Sequence, residues 1–179
     1  AHHRPLAKGL AKECFWKIAA KRTVLAAGAL ERPIAFQNND RPGIMMASAV
    51  RAYVNRWNVA PGQKVVLFGN NDSIHDVAAD LLAAGVHIAA LVDSRSDATC
   101  QLDVPFNAGA QISGTEGRKA LEAVSIARAS GIEKVAADCL GMSGGWNPTL
   151  HLTCHMNGRP EWNEAIAAFV PKVGMIPGL

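Results

Sequence analysis

The chain has 179 residues, of which 49% are apolar and 18% are charged, a composition typical of a globular protein with one core or two small domains. The net charge of +3 is spread along the sequence and Tyr occurs once, so the clustered basic face with stacking aromatics that nucleic-acid binding needs is not indicated. No stretch approaches the roughly 20 apolar residues of a membrane span. We therefore expect neither a nucleic-acid nor a membrane partner.

The cysteines are widely separated along the chain. They are Cys14, Cys100, Cys139 and Cys154. They form no C-x-x-C pair, so neither a zinc site nor a disulfide framework is indicated. Reduced thiols are typical of the cytoplasm, and the start of the sequence lacks the apolar segment of a secretory signal. We predict a cytoplasmic protein.

The first third of the chain predicts a strand, a loop and an amphipathic helix. An apolar, β-branched run from Arg22 to Ala27 ends at Gly28 and predicts the strand. A polar loop follows over residues 37–43, and Pro42 stands where the first turn of a helix tolerates a missing N–H. The helix is predicted over residues 44–57. Its apolar face consists of Met46, Val50, Tyr53, Val54 and Trp57.

A strand–helix–strand unit is predicted over residues 64–93. The run KVVLFG is apolar without alternation, as in a parallel strand that is covered on both faces. Residues 73–85 have apolar positions at helical spacing, and Gly85 ends the helix. The run VHIAALVD is the second strand. Because parallel strands need such a crossover, the unit is predicted to be a right-handed βαβ motif.

The remainder predicts further strands and a last helix. One short strand is expected within Asn107–Gly117, and two strands, Ala120–Arg128 and Ile132–Met142, are joined by a turn at residues 129–131. A loop rich in Gly, Asn and Pro covers residues 144–148. The last helix is predicted over residues 162–170. Its apolar face consists of Trp162, Ala165, Ile166, Phe169 and Val170.

The turn of the βαβ unit consists of Gly69, Asn70, Asn71, Asp72 and Ser73, whereas a dinucleotide-binding turn usually carries three glycines. Phosphate binding at such a turn depends on free backbone N–H groups and on the positive end of the helix dipole, and neither requires glycine as such. Gly69 can make the tight turn, and Asn tolerates a left-handed backbone better than most residues. A nucleotide site at these five residues is therefore predicted.

Two carboxylates bear on this prediction. Asp72 would repel a diphosphate unless its side chain turns to cap the helix, a role that Ser73 also fits. Asp93 ends the second strand, where a carboxylate accepts hydrogen bonds from the adenosine ribose of NAD. Two alternatives stay open: Asp93 is an ordinary acid at a strand end, and the unit is a degenerate nucleotide fold kept for packing. His75 and Asp76 are predicted to lie on the exposed side of the helix.

Hydrolytic and metal chemistry are weakly indicated. Ser143 lacks the G-x-S-x-G surroundings of a hydrolase nucleophile. His151 and His155 stand four residues apart, but Thr153 disfavours a helix there and the companion Glu of a zincin is missing. We name no catalytic residue and no metal ligand.

Three segments, residues 22–56, 59–73 and 141–152, together with EAIAAFVP near the end, resemble the α subunit of heterotetrameric sarcosine oxidase. The resemblance runs from about Phe15 to the end of the chain. It implies an α/β fold of three-layer type, in which a Rossmann-like NAD-binding domain is inserted into an FAD-type domain. The α-type subunits of amino-acid and opine dehydrogenases and of hydrogen cyanide synthase are similar in architecture.

The resemblance also implies a division of the chain. Residues 1–59 would be a segment of the FAD-type domain with a connecting helix, residues 60–142 the NAD-binding-like domain, and residues 143–179 the return into the FAD-type domain. Gly28 would lie near the nucleotide, and Gly144 and Gly145 near the domain junction. The first βαβ unit of the family would precede residue 1 and the last strand would follow Leu179, so we expect an internal portion of a larger subunit.

The function implied by the resemblance is that of a subunit in a complex with β, γ and δ partners. Such a complex oxidises sarcosine to glycine and forms hydrogen peroxide, with NAD on the α subunit and with FAD and FMN elsewhere in the complex. The isolated portion is expected to be inactive. The alternatives are a non-catalytic scaffold at a subunit interface, and the α subunit of a related amino-acid or opine dehydrogenase.

Overall fold

A parallel sheet of five strands forms the centre of the structure, a computed structural model that describes residues 15–174. In chain order the elements are β1 (Ala29–Glu31), β2 (Ile44–Met46), α1 (Ala47–Trp57), β3 (Val65–Gly69), α2 (Ser73–Ala83), β4 (Ile88–Asp93), β5 (Phe106–Ala108), β6 (Gln111–Glu116), β7 (Ala123–Arg128), β8 (Gly131–Ala136), β9 (Cys139–Ser143), β10 (Trp146–Pro148), α3 (His151–His155), β11 (Pro160–Asn163) and β12 (Ala168–Pro171). The parallel sheet has the order β2-β9-β3-β4-β5. The predicted α/β architecture is confirmed.

The central strand β3 is buried on both faces because its apolar residues serve two different cores. Val65 and Leu67 pack with helices α1 and α2, whereas Val66 and Phe68 pack against the strands of a second, antiparallel sheet. Side chains alternate between the faces of a strand, so an uninterrupted apolar run is needed when both faces are covered. The molecule therefore has three layers: helices, parallel sheet and antiparallel sheet.

The two helices lie on one face of the parallel sheet and are tied to each other through Asp80. Its carboxylate accepts hydrogen bonds from Asn55 Nδ2 and from Arg51 Nε, each at 2.6 Å. The hydrogen bonds from Asn55 and Arg51 lower the pKa of Asp80. Beneath this contact, Val50 of α1 and Leu81 of α2 are fully buried. Apolar burial holds the helices in place, and the polar contact fixes their register.

The other face is covered by the antiparallel sheet β6-β7-β8. The hairpin predicted at residues 129–131 is confirmed, with Arg128 opposite Gly131. The strand predicted over Ile132–Met142 is wrong in extent, since the chain leaves this sheet after Ala136 and enters the parallel sheet at Cys139 as β9. Similarly, two strands, β5 and β6, occur where one was expected within residues 107–117.

The strand predicted at Arg22–Ala27 is wrong. The first strand is β1, and it pairs with β10, which lies in the segment that was expected to be a loop. A strand requires a partner, and β10 reaches only residues 29–31. Val24 is a β-branched residue of the kind that favours strands, but it is 90% exposed. Pro42 likewise does not begin a helix, because β2 separates it from α1 and pairs with β9.

The helix predicted over residues 162–170 is also wrong, because this segment forms the hairpin β11–β12. Trp162 lies opposite Phe169 in the register, with the ring centroids 5.2 Å apart. The turn between the strands is stabilised by Asn163 Oδ1, which accepts the Ala165 N–H at 3.0 Å. The cross-strand pairing overrides the helical spacing, since an aromatic pair across two strands stabilises a hairpin.

Two smaller predictions about helices also differ from the structure. Tyr53 and Trp57, predicted on the apolar face of α1, are exposed and contact each other at 5.3 Å between ring centroids. Residues 151–155 do form a short helix, α3, in which the Thr153 hydroxyl donates to the Leu150 carbonyl at 2.7 Å. That local bond satisfies the Thr side chain within the helix.

The predicted division of the chain at residues 59 and 142 remains a prediction. In the structure, β2 and α1 share the sheet and core of the following segment: Ile44 lies beside Leu140, and Val50 is fully buried in the core. Within residues 15–174, none of the helices has the length and apolar character that crossing a bilayer demands.

The close packing of β9 against helix α1 should make the stability of the fold sensitive to a larger side chain at Gly141. A Cβ on Gly141 would lie 2.9 Å from Leu67 Cδ2 and 3.1 Å from Val50 Cγ2. Gly141→Val should lower the free energy of unfolding by about 1–3 kcal/mol through overpacking. Ala136→Val, at an exposed strand end, is the matched control and should change it by less than about 0.5 kcal/mol. Urea unfolding of both variants checks this, and equal stability would contradict the packing described.

Candidate nucleotide-binding site

The carboxyl ends of three parallel strands meet at one edge of the sheet. Gly69 of β3 lies beside Asp93 of β4 and beside Ser143 of β9. All three residues are buried. The chain crosses from β3 through α2 to β4, which lies on one side of β3 in the sheet. After the antiparallel sheet it returns as β9, which lies on the other side of β3. Ligands of open α/β sheets bind at such a switch point.

The absence of a side chain on Gly69 allows α2 to begin close to the strand. A Cβ at this position would lie 3.1 Å from Ile74 Cβ and 3.1 Å from the Ser143 carbonyl oxygen. Ile74 stands where a dinucleotide turn has its third glycine, and it is fully buried beneath the turn. Its side chain therefore packs into the core and leaves the outer side of the turn open.

The Asn71 side chain fills the crevice between β3 and β9. Its Nδ2 donates to the Ser143 carbonyl and hydroxyl oxygens, both at 3.1 Å. Its Oδ1 accepts a hydrogen bond from the Ser73 hydroxyl, and Trp146 Nε1 donates to Ser73 Oγ at 3.1 Å. The Asn70 N–H also donates to the Ser143 carbonyl at 3.3 Å. The second residue of the nucleotide turn is thus engaged with the chain itself.

The backbone N–H groups of Asn71, Asp72 and Ser73 make no hydrogen bond among those formed by residues 15–174. The helix begins with His75 N–H donating to the Asp72 carbonyl at 3.0 Å. Neither Asp72 nor Ser73 caps the helix with its side chain, contrary to the role considered for them. Three adjacent amides at the positive end of a helix form a site of the kind that binds phosphate.

Asp93 is fully buried, and its carboxylate oxygens already have partners within the chain. Oδ1 accepts the Arg95 N–H at 2.9 Å and Arg95 Nε–H at 3.1 Å, while Oδ2 accepts Arg95 Nη2–H at 2.8 Å and lies 3.3 Å from His75 Nε2. Burial acts to raise the pKa of Asp93, but the hydrogen bonds from Arg95 and His75 outweigh it and lower that pKa. Asp93 is therefore ionised at neutral pH.

Arg95 extends from Asp93 to the turn. Its Nη2 also donates to Asp72 Oδ1 at 2.7 Å, and the hydrogen bonds from Asp93 and Asp72 raise the pKa of Arg95. For Asp93 to accept a hydrogen bond from a ribose hydroxyl, Arg95 would first have to release one of the carboxylate oxygens. The ribose-binding role of Asp93 remains a prediction. Arg95 was missed from the sequence, although an Asp two residues before an Arg at a strand end favours the turn in which the carboxylate binds the backbone N–H.

His75, predicted on the exposed side of the helix, is only partly exposed. It is half-buried between Asp93 and Phe106, whose ring centroid lies 5.7 Å from that of His75. The first turn of α2 faces the end of β4, so its second residue contacts that strand. Asp76, the next residue, is exposed as predicted.

A cleft of about 510 Å³ opens beside the turn, between α2 and residues 95–102. Three exposed carboxylates, those of Asp72, Asp76 and Asp97, line it together with Arg95. The cleft adjoins the turn through Asp72 and has the size of a small-molecule site. Its electrostatic character is acidic.

The three other predicted site glycines lie along the β1–β10 ribbon. Gly145 accepts the Arg32 N–H at 2.8 Å, and the Gly144 N–H donates to the Arg32 carbonyl at 2.7 Å. Both follow Ser143 directly and so adjoin the nucleotide turn. Gly28 lies at the other end of the ribbon, where its carbonyl accepts the Thr149 N–H at 3.0 Å. A nucleotide role for these glycines remains a prediction.

In the part of the chain that the structure describes, no three His, Cys, Asp or Glu residues are grouped as a metal site would require. Cys100, Cys139 and Cys154 are free thiols, and Cys14 lies outside the described residues. Burial, with a smaller contribution from Asp138, raises the pKa of Cys139 to about 12. That thiol is therefore unreactive at neutral pH.

The Asp93–Arg95 pair should make the free energy of unfolding depend on pH. Because folding lowers the pKa of Asp93, the stabilisation is present above the unfolded-state pKa of about 3.9 and is lost as the pH falls through the folded value. Asp93→Asn should lower the free energy of unfolding at pH 7 by about 1–3 kcal/mol, and the difference should shrink below about pH 4. Urea unfolding at several pH values measures this. Asp97→Asn is the exposed control, and a difference that does not change with pH would contradict the pairing.

Comparison with known proteins finds solved structures of similar fold and relatives of similar sequence. No protein-family model matches the sequence. In fold, the chain is similar to L-proline dehydrogenase from P. horikoshii, with a TM-score of 0.66 and 23% identity over 87% of this chain and 27% of that one. It is also similar to T. acidophilum thioredoxin reductase, with a TM-score of 0.57 and 13% identity over 76% of this chain and 47% of that one. These likenesses confirm the Rossmann-like fold.

Two curated relatives are closer in sequence. The sarcosine oxidase α subunit of Rhizobium meliloti (strain 1021) is 42% identical over 99% of this chain and 18% of that subunit. The α subunit of Corynebacterium sp. (strain U-96) sarcosine oxidase is 39% identical over 93% of this chain and 19% of that subunit. The chain thus spans about a fifth of the length of these relatives. The resemblance predicted from the sequence is confirmed, and the chain is homologous along nearly its whole length to a segment of the α subunit of sarcosine oxidase.

Proposed function

We propose that this chain is the nucleotide-binding portion of the α subunit of a complex that oxidatively demethylates sarcosine to glycine and forms hydrogen peroxide. The homology to sarcosine oxidase α subunits supports a role as an oxidoreductase subunit. Oxidation of sarcosine is the reaction of the oxidases to which those relatives belong. In this proposal, residues 15–174 contribute binding surface and no catalytic residue, so the chain by itself is inactive toward sarcosine.

The observation that carries the proposal is the group of three free amides beside Gly69. The N–H groups of Asn71, Asp72 and Ser73 would hold the diphosphate of NAD, because they are unpaired among the described residues and lie at the positive end of α2. Gly69 lets the start of α2 lie close to β3 and β9, since a Cβ at this position would press on the Ser143 carbonyl. The adjoining cleft would receive the adenosine, with Arg95 in its lining and Asp93 bonded to Arg95 behind it.

The charge of the cleft favours NAD over its 2′-phosphorylated form. Asp72, Asp76 and Asp97 line the cleft, and the guanidinium of Arg95 is already shared between Asp72 and Asp93. An added phosphate would be repelled by these carboxylates. In the complete complex we assign FAD and FMN to other parts of the assembly.

We further propose that the β, γ and δ subunits, or other parts of the α subunit, cover the apolar surface of this segment. Phe15 is 90% exposed, and Trp16 is 78% exposed. With Ile18, which is 84% exposed, they form a run of exposed apolar side chains, which supports an interaction surface. Gly28, Gly144 and Gly145 would lie near the nucleotide of an FAD-type domain at that boundary. The free thiols support a cytoplasmic location.

A second candidate function is a scaffold with a degenerate nucleotide fold. The occupied side chains favour it: Asn71 binds Ser143, and Asp93 is saturated by Arg95 and His75. A site whose polar side chains already bind one another is stable without a ligand. The two candidates differ in whether NAD binds the turn.

Calorimetric titration with NAD distinguishes the two candidates. Asp72→Asn removes a negative charge beside the three backbone N–H groups and should strengthen NAD binding roughly two- to fivefold. Asp76→Asn removes the same charge from the next turn of the cleft wall and should have a smaller effect. Unaltered chain and both variants would be compared at one ionic strength.

No measurable heat from the unaltered chain or from Asp72→Asn would contradict nucleotide binding and support the scaffold. Equal strengthening by Asp72→Asn and Asp76→Asn would show that the diphosphate does not bind at the amide group.

The proposed role in the complex makes a separate prediction. The 179-residue chain should form no hydrogen peroxide from sarcosine, because we assign no catalytic residue within the part of the chain that the structure describes. The complex that contains the subunit should form peroxide from sarcosine, measured with a peroxidase-coupled dye. Peroxide formation by the isolated chain, or none by the complex, would contradict the proposal.

A further inference from the structure

A second cavity opens between the β1–β10 ribbon and the β11–β12 hairpin. Its volume is about 400 Å³, within the range of small-molecule sites. Apart from Arg32, it is lined by Asn147, Pro148, Leu150, Trp162, Ala167 and Phe169. The lining is therefore mostly apolar, and Arg32 is its one ionisable residue.

Arg32 is held firmly in the wall of this cavity. Its backbone is bonded to Gly144 and Gly145, and its Nη1 donates to the Ala167 carbonyl at 2.7 Å. A Cβ on Gly145 would lie 2.7 Å from Arg32 Nη2, so the guanidinium packs directly over that glycine. The positive charge is thus positioned by the ribbon and by the hairpin turn together.

The charge of Arg32 has no carboxylate partner within residues 15–174. None of the ion pairs there includes Arg32. The neighbouring Glu31 carboxylate accepts the Ser48 N–H at 2.9 Å. Glu161 and Glu164, on the hairpin, are exposed and form no ion pair there.

Part of the guanidinium is also unsatisfied. Arg32 Nε is buried and has no hydrogen-bond partner, and Nη2 has only a contact of 3.5 Å to the Ile166 carbonyl. Nη2 therefore keeps donor capacity for an anion in the cavity, and a carboxylate bound there would form a charge-assisted hydrogen bond with it.

The opposite wall offers aromatic surface. The rings of Trp162 and Phe169 meet edge to face at 5.2 Å, and the two residues are 48% and 52% exposed. Such a pair contributes apolar contact to a flat ligand. The lining contains no Asp or Glu that would pair with an ammonium group.

We propose that this cavity binds a small carboxylic acid with a flat apolar body, its carboxylate on the guanidinium of Arg32 and its body against Trp162 and Phe169. The ligand class is an aromatic or unsaturated monocarboxylate without an amino group. This site is separate in its residues from the nucleotide turn and does not rest on NAD binding there.

Titration of the 179-residue chain with phenylacetate, followed by Trp fluorescence and calorimetry, tests this proposal. Phenylacetate should bind at least about tenfold more tightly than the neutral phenylacetamide, because the charge-assisted hydrogen bonds require a carboxylate. Arg32→Gln should weaken phenylacetate binding by a similar factor. Arg56→Gln, which removes an exposed charge on α1, is the matched control and should leave binding unchanged.

Arg32 also holds the Ala167 turn, so a second variant separates binding from folding. Asn147→Asp adds a carboxylate to the cavity lining without changing the Arg32 bonds to the hairpin, and it should weaken phenylacetate binding severalfold while circular dichroism stays unchanged. No binding of phenylacetate to the unaltered chain, equal affinity for phenylacetamide, or full affinity in Asn147→Asp would each overturn the proposal.

Discussion

The parallel register around β3 is the constraint on which the candidate site depends. Because β3 lies between β4 and β9 in the same direction, Gly69, Asp93 and Ser143 reach one edge of the sheet together. The register is fixed by burial on both faces, since a shift by one residue would exchange the sets that face the helices and the antiparallel sheet. The chemistry of the edge therefore follows from packing in the interior.

At this edge the chain has replaced two glycines of a dinucleotide turn with residues that bind the protein itself. Asn71 bridges to Ser143, and Ile74 packs into the core. Arg95 joins Asp72 to Asp93. The side chains are thus self-satisfied, while the main-chain amides of the turn are not. A ligand that binds through phosphate oxygens needs only the amides, whereas a scaffold role uses only the side-chain contacts.

The interior of the fold could be predicted from the sequence, and its periphery could not. The run Val65–Gly69 and the spacing of Ile74, Val77 and Leu81 specify a buried strand and a helix by local pattern alone. By contrast, whether Arg22–Ala27 or Ala29–Glu31 forms a strand depends on β10, more than 100 residues later in sequence. The Trp162–Phe169 contact likewise overrides helical spacing, because residues 160–163 pair with residues 168–171 as a hairpin.

The candidate site was predictable in its position but not in its contacts. The five turn residues lie between β3 and α2 and Asp93 ends β4, as the predicted strand–helix–strand unit implies, whereas Gly28, Gly144 and Gly145 were added by the family resemblance. Nothing in local sequence showed that Trp146 donates to Ser73 or that Arg32 clamps the hairpin turn, because both contacts join residues far apart in the chain. Polar contacts of this kind are set by tertiary packing, which pattern and propensity do not encode.

The most direct test of the central claim is an NMR measurement of backbone amides during titration with NAD. If the start of α2 receives the diphosphate, the N–H resonances of Asn71, Asp72 and Ser73 should shift together and saturate with one dissociation constant. Unchanged resonances at these three residues under saturating NAD would contradict the account.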